Sequence, residues 1–220
     1  MAELIGSVVS VNVGEPRDVQ WAGRTVSTAI WKAPVAGRVA ARDPNLLGDG
    51  QADLRVHGGS DKAVYAYASE DYRWWESELG VELPYATFGE NLTTEGIDLT
   101  NVVVGQIWRV GSARLRVTQP RLPCFKLGIR MNDASFVDRF ERAGRPGTYL
   151  RIESSGDIGA GDQVTAESPP PHGLTVSSIV RTYREPGSKQ LHQLIDIDDV
   201  PEVWRAWAQR QLRRGERRGT

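Results

Sequence analysis

One cysteine, Cys124, stands in the whole chain of 220 residues. An intrachain disulfide is therefore excluded, which fits a reducing compartment and leads to the expectation of a cytoplasmic protein. Histidine is scarce as well: there are three, at 57, 172 and 192, with no ligand spacing among them, so a structural zinc site lacks its donors. Neither sign of charge dominates. Lys and Arg number 27 against 28 Asp and Glu, a formal net charge of −1. Nothing then draws the molecule as a whole to a nucleic-acid polymer or an anionic membrane. No apolar run approaches the ~20 residues of a membrane span. The opening MAELIGSVVSVNVGEP has no basic stretch ahead of a long apolar one, so no signal peptide is expected. No phosphate-loop or dinucleotide glycine fingerprint occurs.

What is present fits a globular protein, with 40% hydrophobic and 25% charged residues. The first part reads as β-rich, with strands over Leu4–Val13, Thr25–Trp31, Leu54–Val56 and Ala63–Tyr67. A helix is expected from Ser69, as its cap, to Leu79, where Tyr72, Trp75 and Leu79 share a face and Gly80 stops it. Ile107–Val110 and Ala113–Thr118 flank Gly111-Ser112 as a hairpin. Asn132 or Asp133 is placed to cap a second helix, with Phe136 and Phe140 inward, and strands follow at Tyr149–Ile152 and Gln163–Ala166. SPPPHG at 168–173 reads as a linker, because three prolines continue neither a helix nor a central strand. Three short helices are expected beyond it, at Val176–Tyr183, Lys189–Ile195 and Val200–Leu212. The expected organisation is a β-rich (α+β) domain over 1–167 and a small helical unit over 172–220.

Cys124 lies in QPRLPCFKL, just past a strand end, on a loop stiffened by Pro120 and Pro123. Two readings stand side by side. A lone cysteine is most often a small buried hydrophobe. Arg121 and Lys126, close in sequence, favour a thiolate if they also lie close in space. His57-Gly58-Gly59, followed by Ser60-Asp61-Lys62, is either a plain turn or a close backbone approach to an anionic ligand. FGENLTT, residues 88–94, reads as a second polar loop with a glycine.

AIWKAPVAGRV at 29–39, VHGGSDKAVYAY at 56–67, FGENLTTEG at 88–96 and VGQIWRVGSARLRVTQPRLPC at 104–124 occur in that order. The series resembles the MOSC domain, in particular its stand-alone bacterial YiiM-like branch, and the helices after the linker resemble that branch's C-terminal extension. The resemblance implies a barrel-like β fold that binds the molybdenum cofactor, molybdopterin carrying molybdenum. It implies that Cys124 is the metal's protein ligand. Lys32 would meet the terminal phosphate. The stretch His57, Gly58 and Gly59, together with Lys62, Asn91 and Thr93, would line the pterin. Arg121 and Lys126 would offset anionic charge, and Asp61 is a candidate proton donor at the metal. Asp49 ends Asn45-Leu46-Leu47-Gly48-Asp49, which keeps the Gly-Asp pair of a family stretch while its upstream residues differ. The implied activity is reduction of N-hydroxylated compounds, such as N-hydroxylated purines and hydroxylamines, with electrons from a separate reductase, a flavoprotein. The helical unit then either docks that partner or only stabilises the fold. The alternative is a non-catalytic carrier of cofactor or sulfur on Cys124. A metal-free thiol redox protein is a weaker third, for want of a resolving cysteine.

Overall fold

The computed structural model describes residues 2–52 and 58–216. Leu54–Val56 and His57 lie outside the described residues. The strands are β1 (Glu3–Val13), β2 (Arg17–Trp21), β3 (Arg24–Thr28), β4 (Ala33–Pro34), β5 (Arg38–Arg42), β6 (Asn45–Leu46), β7 (Val64–Ala68), β8 (Leu92–Glu95), β9 (Ile107–Val110), β10 (Ala113–Pro120), β11 (Thr148–Ser154), β12 (Gly156–Gly159) and β13 (Gln163–Ala166). The helices are α1 (Ser69–Leu79), α2 (Phe125–Met131), α3 (Phe136–Ala143), α4 (Val176–Arg184), α5 (Ser188–Asp196) and α6 (Glu202–Glu216), with a 3₁₀ turn at Ser60–Lys62.

Seven strands close a barrel in the order β13-β9-β10-β11-β7-β8-β1, with β1 pairing back onto β13 and β4 appended to β1. Closure removes the open edges of a sheet. Alternation decides which side chains fill the barrel. Along β10, Ala113, Leu115 and Val117 are buried and Arg114 and Arg116 lie half-exposed. That alternation ends where the register with β11 shifts between Val117 and Gln119. Bulges of this kind re-aim side chains. Here Thr118 Oγ1 donates to the Asp61 carbonyl (2.7 Å) and the Tyr149 carbonyl (3.0 Å).

Strands β7 and β8 run parallel, a pairing that needs a crossover, and α1 supplies it. Trp75 and Tyr72 of α1 are buried with Tyr67, Phe88, Phe136 and Phe140 in an aromatic cluster outside the barrel. Leu92–Glu95, expected as polar loop, is instead a barrel strand: it pairs with β1 and β7, and the buried Thr93 hydroxyl is hydrogen-bonded to Asn12 and Glu90.

Three local expectations are corrected. Ser69 opens α1 rather than capping it, the cap position being Ala68. Asn132 closes α2 in the left-handed conformation (φ 51) and does not begin α3. Asp133 Oδ1 accepts from the Ser135 amide (2.8 Å), so it braces the entry to α3 from outside the helix. Helix α2 itself was not expected. Gly128 argues against a helix by propensity, but a Cβ there would stand 3.1 Å from the Asp133 carbonyl oxygen, and glycine lets the start of α3 pack against it.

Beyond the prolines, the chain is stitched to the barrel. The Val104 amide donates to the Leu174 carbonyl (2.9 Å) and the Val176 amide to the Val102 carbonyl (3.1 Å). Ile179, Leu191, Leu194, Val200, Trp204 and Ala208 are buried in the same hydrophobic cluster as Val104, Trp108 and Val117. Arg116 bridges Glu153 (2.6 Å) and Asp199 (2.7 Å) across the contact. No described helix is long and apolar enough to cross a membrane.

Candidate functional site

The bulge in β10 delivers the chain into a cleft. Pro120 ends the strand, Arg121–Pro123 turn, and Cys124 takes the position ahead of α2 in extended conformation. The Leu127 amide donates to the Cys124 carbonyl (2.9 Å), so the first turn of α2 fixes the cysteine backbone. The cleft holds about 690 Å³ of space, its open mouth included. Residues of β3, β7 and β11 and the segment 121–126 form its walls.

Its charge is one-sided. Among the described residues Lys32, Lys62, Arg121 and Lys126 line it, against the single carboxylate of Asp49. The cations differ in what holds them. Lys32 is buried and ion-paired with Asp49. Burial lowers its pKa, against the raising effect of Asp49. Asp49 also accepts from the Gly14 amide (2.9 Å) and from Asn91 Nδ2 (2.8 Å). Burial lowers Lys62 too, opposed by Asp61 and by Cys124. Arg121 is buried between rings, its guanidinium carbon 5.1 Å from the Tyr65 ring centre and 5.3 Å from that of Phe140. Burial works against its charge, but Tyr65, Tyr149 and Cys124 outweigh it and leave its pKa raised. Among the described residues no carboxylate pairs with Arg121, and its Nη1 is buried without a hydrogen-bond partner.

A buried guanidinium nitrogen left unpaired is costly. At the wall of a cationic cleft, it is the feature that an anionic ligand would satisfy. The donor chemistry at the thiol agrees. Among the described residues no group of three or more His, Cys, Asp or Glu is assembled for a metal. A soft metal held at Cys124 would have to bring most of its own ligands, as a dithiolene cofactor does. The residues present therefore fit an anionic, phosphate-bearing metal cofactor.

Of the residues singled out in the sequence, Cys124, Lys32, Asp49, Lys62, Asn91, Arg121 and Lys126 line the cleft together. Asn91 does so as a brace: its Nδ2 donates to Asp49 and to the Asn12 carbonyl (3.2 Å), and its Oδ1 accepts from the Tyr65 amide (3.0 Å). Thr93 stands behind the wall, bonded to Asn12 (3.2 Å) and Glu90 (2.9 Å). The Asp61 carboxylate is held by Arg151, through Nε at 2.9 Å and through a second, shorter contact, and does not line the cleft. Gly58 and Gly59 do not line it either, and the Gly59 amide is committed to Gln51 Oε1 (3.0 Å). Tyr65, Tyr149, Gln51 and Gly89 were missed. The tyrosines carry no local signal, since each sits in a strand that reads as core. Gly89 had one, being the glycine of the FGEN stretch.

The MOSC domain family matches residues 53–165. The protein YflK of Bacillus subtilis (strain 168) is 34% identical over 202 residues, 91% of this chain and 91% of that one. The chain belongs to the MOSC domain family. Within it, the crystal structure of YiiM from Geobacillus stearothermophilus shares the fold, with a TM-score of 0.80 and 29% identity over 94% of this chain and 99% of that chain. A protein named "Reductase" from Gibberella moniliformis (strain M3125 / FGSC 7600) is 32% identical over 166 residues, 74% of this chain and 29% of that protein. The match across the barrel and helices alike makes this a YiiM-like MOSC protein, of a family associated with the molybdenum cofactor.

Proposed function

We propose that the chain is a molybdenum cofactor-dependent reductase of N-hydroxylated compounds, the class of N-hydroxylated purines and hydroxylamines. The observation that carries this reading is the buried Arg121 guanidinium beside Cys124, its Nη1 without a hydrogen-bond partner, in a cleft lined among the described residues by four cations and one carboxylate. Cys124 would supply the thiolate ligand. Arg121 and Lys126 would bind and orient the anionic part of the cofactor, with Arg121 held in place by the rings of Tyr65 and Phe140. Lys32 would meet phosphate with its charge already partly balanced by Asp49. Bound there, the cofactor would supply two-electron oxygen-atom chemistry, by which an N–OH group, two electrons and two protons would give N–H and water. Lys62 holds a proton at Nζ on the cleft wall, and the lowering of its pKa by burial is the direction that eases release. It replaces Asp61, which Arg151 holds, as the favoured proton source. Electrons come from a separate reductase, a flavoprotein. The fungal relative's printed name, "Reductase", lends support to this class of chemistry.

The test compares wild type with Cys124→Ser, both made in a host competent for the cofactor. Wild type is expected to carry near-stoichiometric molybdenum and to reduce an N-hydroxylated purine with an artificial one-electron donor. Serine is close in size, so its cost in stability should be about 1 kcal/mol or less. It is a harder ligand that does not deprotonate readily, so turnover should fall by orders of magnitude. Full activity in the variant removes the ligand assignment. Zinc or no metal across several wild-type preparations removes the enzyme. Molybdenum without turnover of any N–OH compound favours the carrier reading.

A further inference from the structure

A second recess adjoins the cleft on the far side of Cys124. It has about 890 Å³ of space with its mouth included. The two share Lys62, Leu122, Cys124 and Tyr149 as a common wall. The opposite wall comes from the C-terminal helices, through Tyr183 of α4 and Val203, Trp204, Trp207 and Arg210 of α6.

That wall is aromatic and pre-set. Trp204 Nε1 donates to Gln119 Oε1 (2.7 Å), which fixes its ring and uses its only donor. Trp204 meets Trp207 edge-on, at 5.7 Å and 78°. Tyr183 meets Trp204 at 5.8 Å and Trp207 at 5.4 Å. Trp207 is half-buried, while Tyr183 and Val203 stay exposed at 39% and 54%. Fixed aromatic surfaces stack flat bases at little cost in conformational entropy. Arg210, exposed at the rim, offers donors to ring nitrogen or oxygen acceptors.

We infer that this recess seats the flat heterocycle of a ring-bearing substrate, with Trp207 as a specificity-determining residue that favours N-hydroxylated bases over ringless hydroxylamines. The common wall decides the orientation. A ring lodged among Tyr183, Trp204 and Trp207 directs its exocyclic nitrogen toward Cys124 and Lys62, the side where the cofactor cleft begins. The inference rests on the reading under Proposed function for its substrate, and on the recess alone for ring binding.

The test has two arms on the full-length chain. In the first, 2-aminopurine is titrated with protein, since its emission falls on stacking against an indole. Saturable quenching is expected, with a Kd raised about tenfold in Trp207→Leu and within about threefold of wild type in Trp207→Phe. Leucine keeps an apolar plug against the core, and phenylalanine keeps a ring, so a fold defect shows as parallel losses in both. No saturable quenching by wild type, or equal Kd values for wild type and Trp207→Leu, overturns the inference. In the second arm, the loaded enzyme is given an artificial donor, and kcat/KM is measured for an N-hydroxylated purine and for hydroxylamine. The ratio of the two should fall about tenfold in Trp207→Leu. An unchanged ratio overturns the inference and leaves the reductase reading standing. Failure of loaded wild type to reduce either compound sinks that reading instead, and the quenching arm still decides whether the recess binds rings.

Discussion

Glu90 accepts three hydrogen bonds on one oxygen and, among the described residues, none on the other. Tyr72 Oη (2.6 Å), the Ala86 amide (2.7 Å) and Thr93 Oγ1 (2.9 Å) all reach Oε1, while Oε2 is buried without a partner. Burial raises the pKa of Glu90 above its ordinary value, against those hydrogen bonds. Below the unfolded value of 4.5 both states are protonated. As pH rises through the window up to the folded pKa, the unfolded chain loses a proton that the folded one keeps, so folding stability falls. Glu90→Gln keeps an oxygen for the three donors and removes the ionisation. The variant should equal or exceed wild type in stability at pH 8. Its advantage should shrink as pH falls toward 4.5, as urea midpoints across that range would record. A variant less stable at pH 8 than at pH 5, relative to wild type, would mean that the charged form of Glu90 is the favoured one.

At the scale of elements, the turn between α1 and β8 shapes the cleft. Gly89 sits at φ +76, and a Cβ there would stand 2.8 Å from Ile30 Cγ1 and 3.2 Å from the Ile30 carbonyl oxygen. Gly144, which closes α3, has a similar φ of +67 with nothing within 4 Å. The pair separates backbone strain from crowding. Gly144→Ala should cost about 1 kcal/mol, the strain alone. Gly89→Ala should cost about 2–4 kcal/mol, because overpacking adds to the same strain. It should also weaken retention of the cofactor, since Ile30, Gly89 and Asn91 are all cleft residues. Equal melting shifts for the two variants would show that Ile30 yields freely.

At the scale of the whole molecule, the larger hydrophobic cluster runs from the barrel into the last three helices, apart from the aromatic cluster of α1 and α3. Removing residues 172–220 would strip Leu174, Val176, Ile179, Leu191, Leu194, Val200, Trp204 and Ala208 from it. At about 1.5–3 kcal/mol for each large apolar side chain, even a fraction of that loss rivals a total stability of about 5–15 kcal/mol. Gln119 would lose its indole partner and Val102 and Val104 their backbone partners. The truncated chain should be insoluble, or should bind a hydrophobic dye and lack near-UV circular dichroism. A soluble fragment that melts cooperatively would show that residues 1–171 form a core sufficient by itself.

Much of the architecture is local and was legible in residue order. Alternation in β10, the shared face of Tyr72 and Trp75, and the stops at Gly80 and the triple proline each depend on neighbours a few positions away. Cys124, with Arg121 and Lys126 near it, was visible for the same reason. Where local propensity and tertiary contact disagree, residue order misleads. Gly128 hides α2, the threonines of β8 pass for a polar loop, and Asn132 ends one helix where it was expected to begin another. The site's second layer is of this kind throughout. Nothing near Asp61 in sequence announces Arg151, ninety positions away. Nothing near Lys32 announces that Asp49, held by Asn91 and Gly14, will take its charge. Tertiary packing decides these pairs: Asp61, just ahead of β7, meets Arg151 of β11, the strand that pairs with β7, and Asp49 meets Gly14 and Asn91 at the neighbouring ends of β1 and β8. The aromatic recess beside Cys124 arises in the same way, from helices folded back across the barrel onto the end of β10.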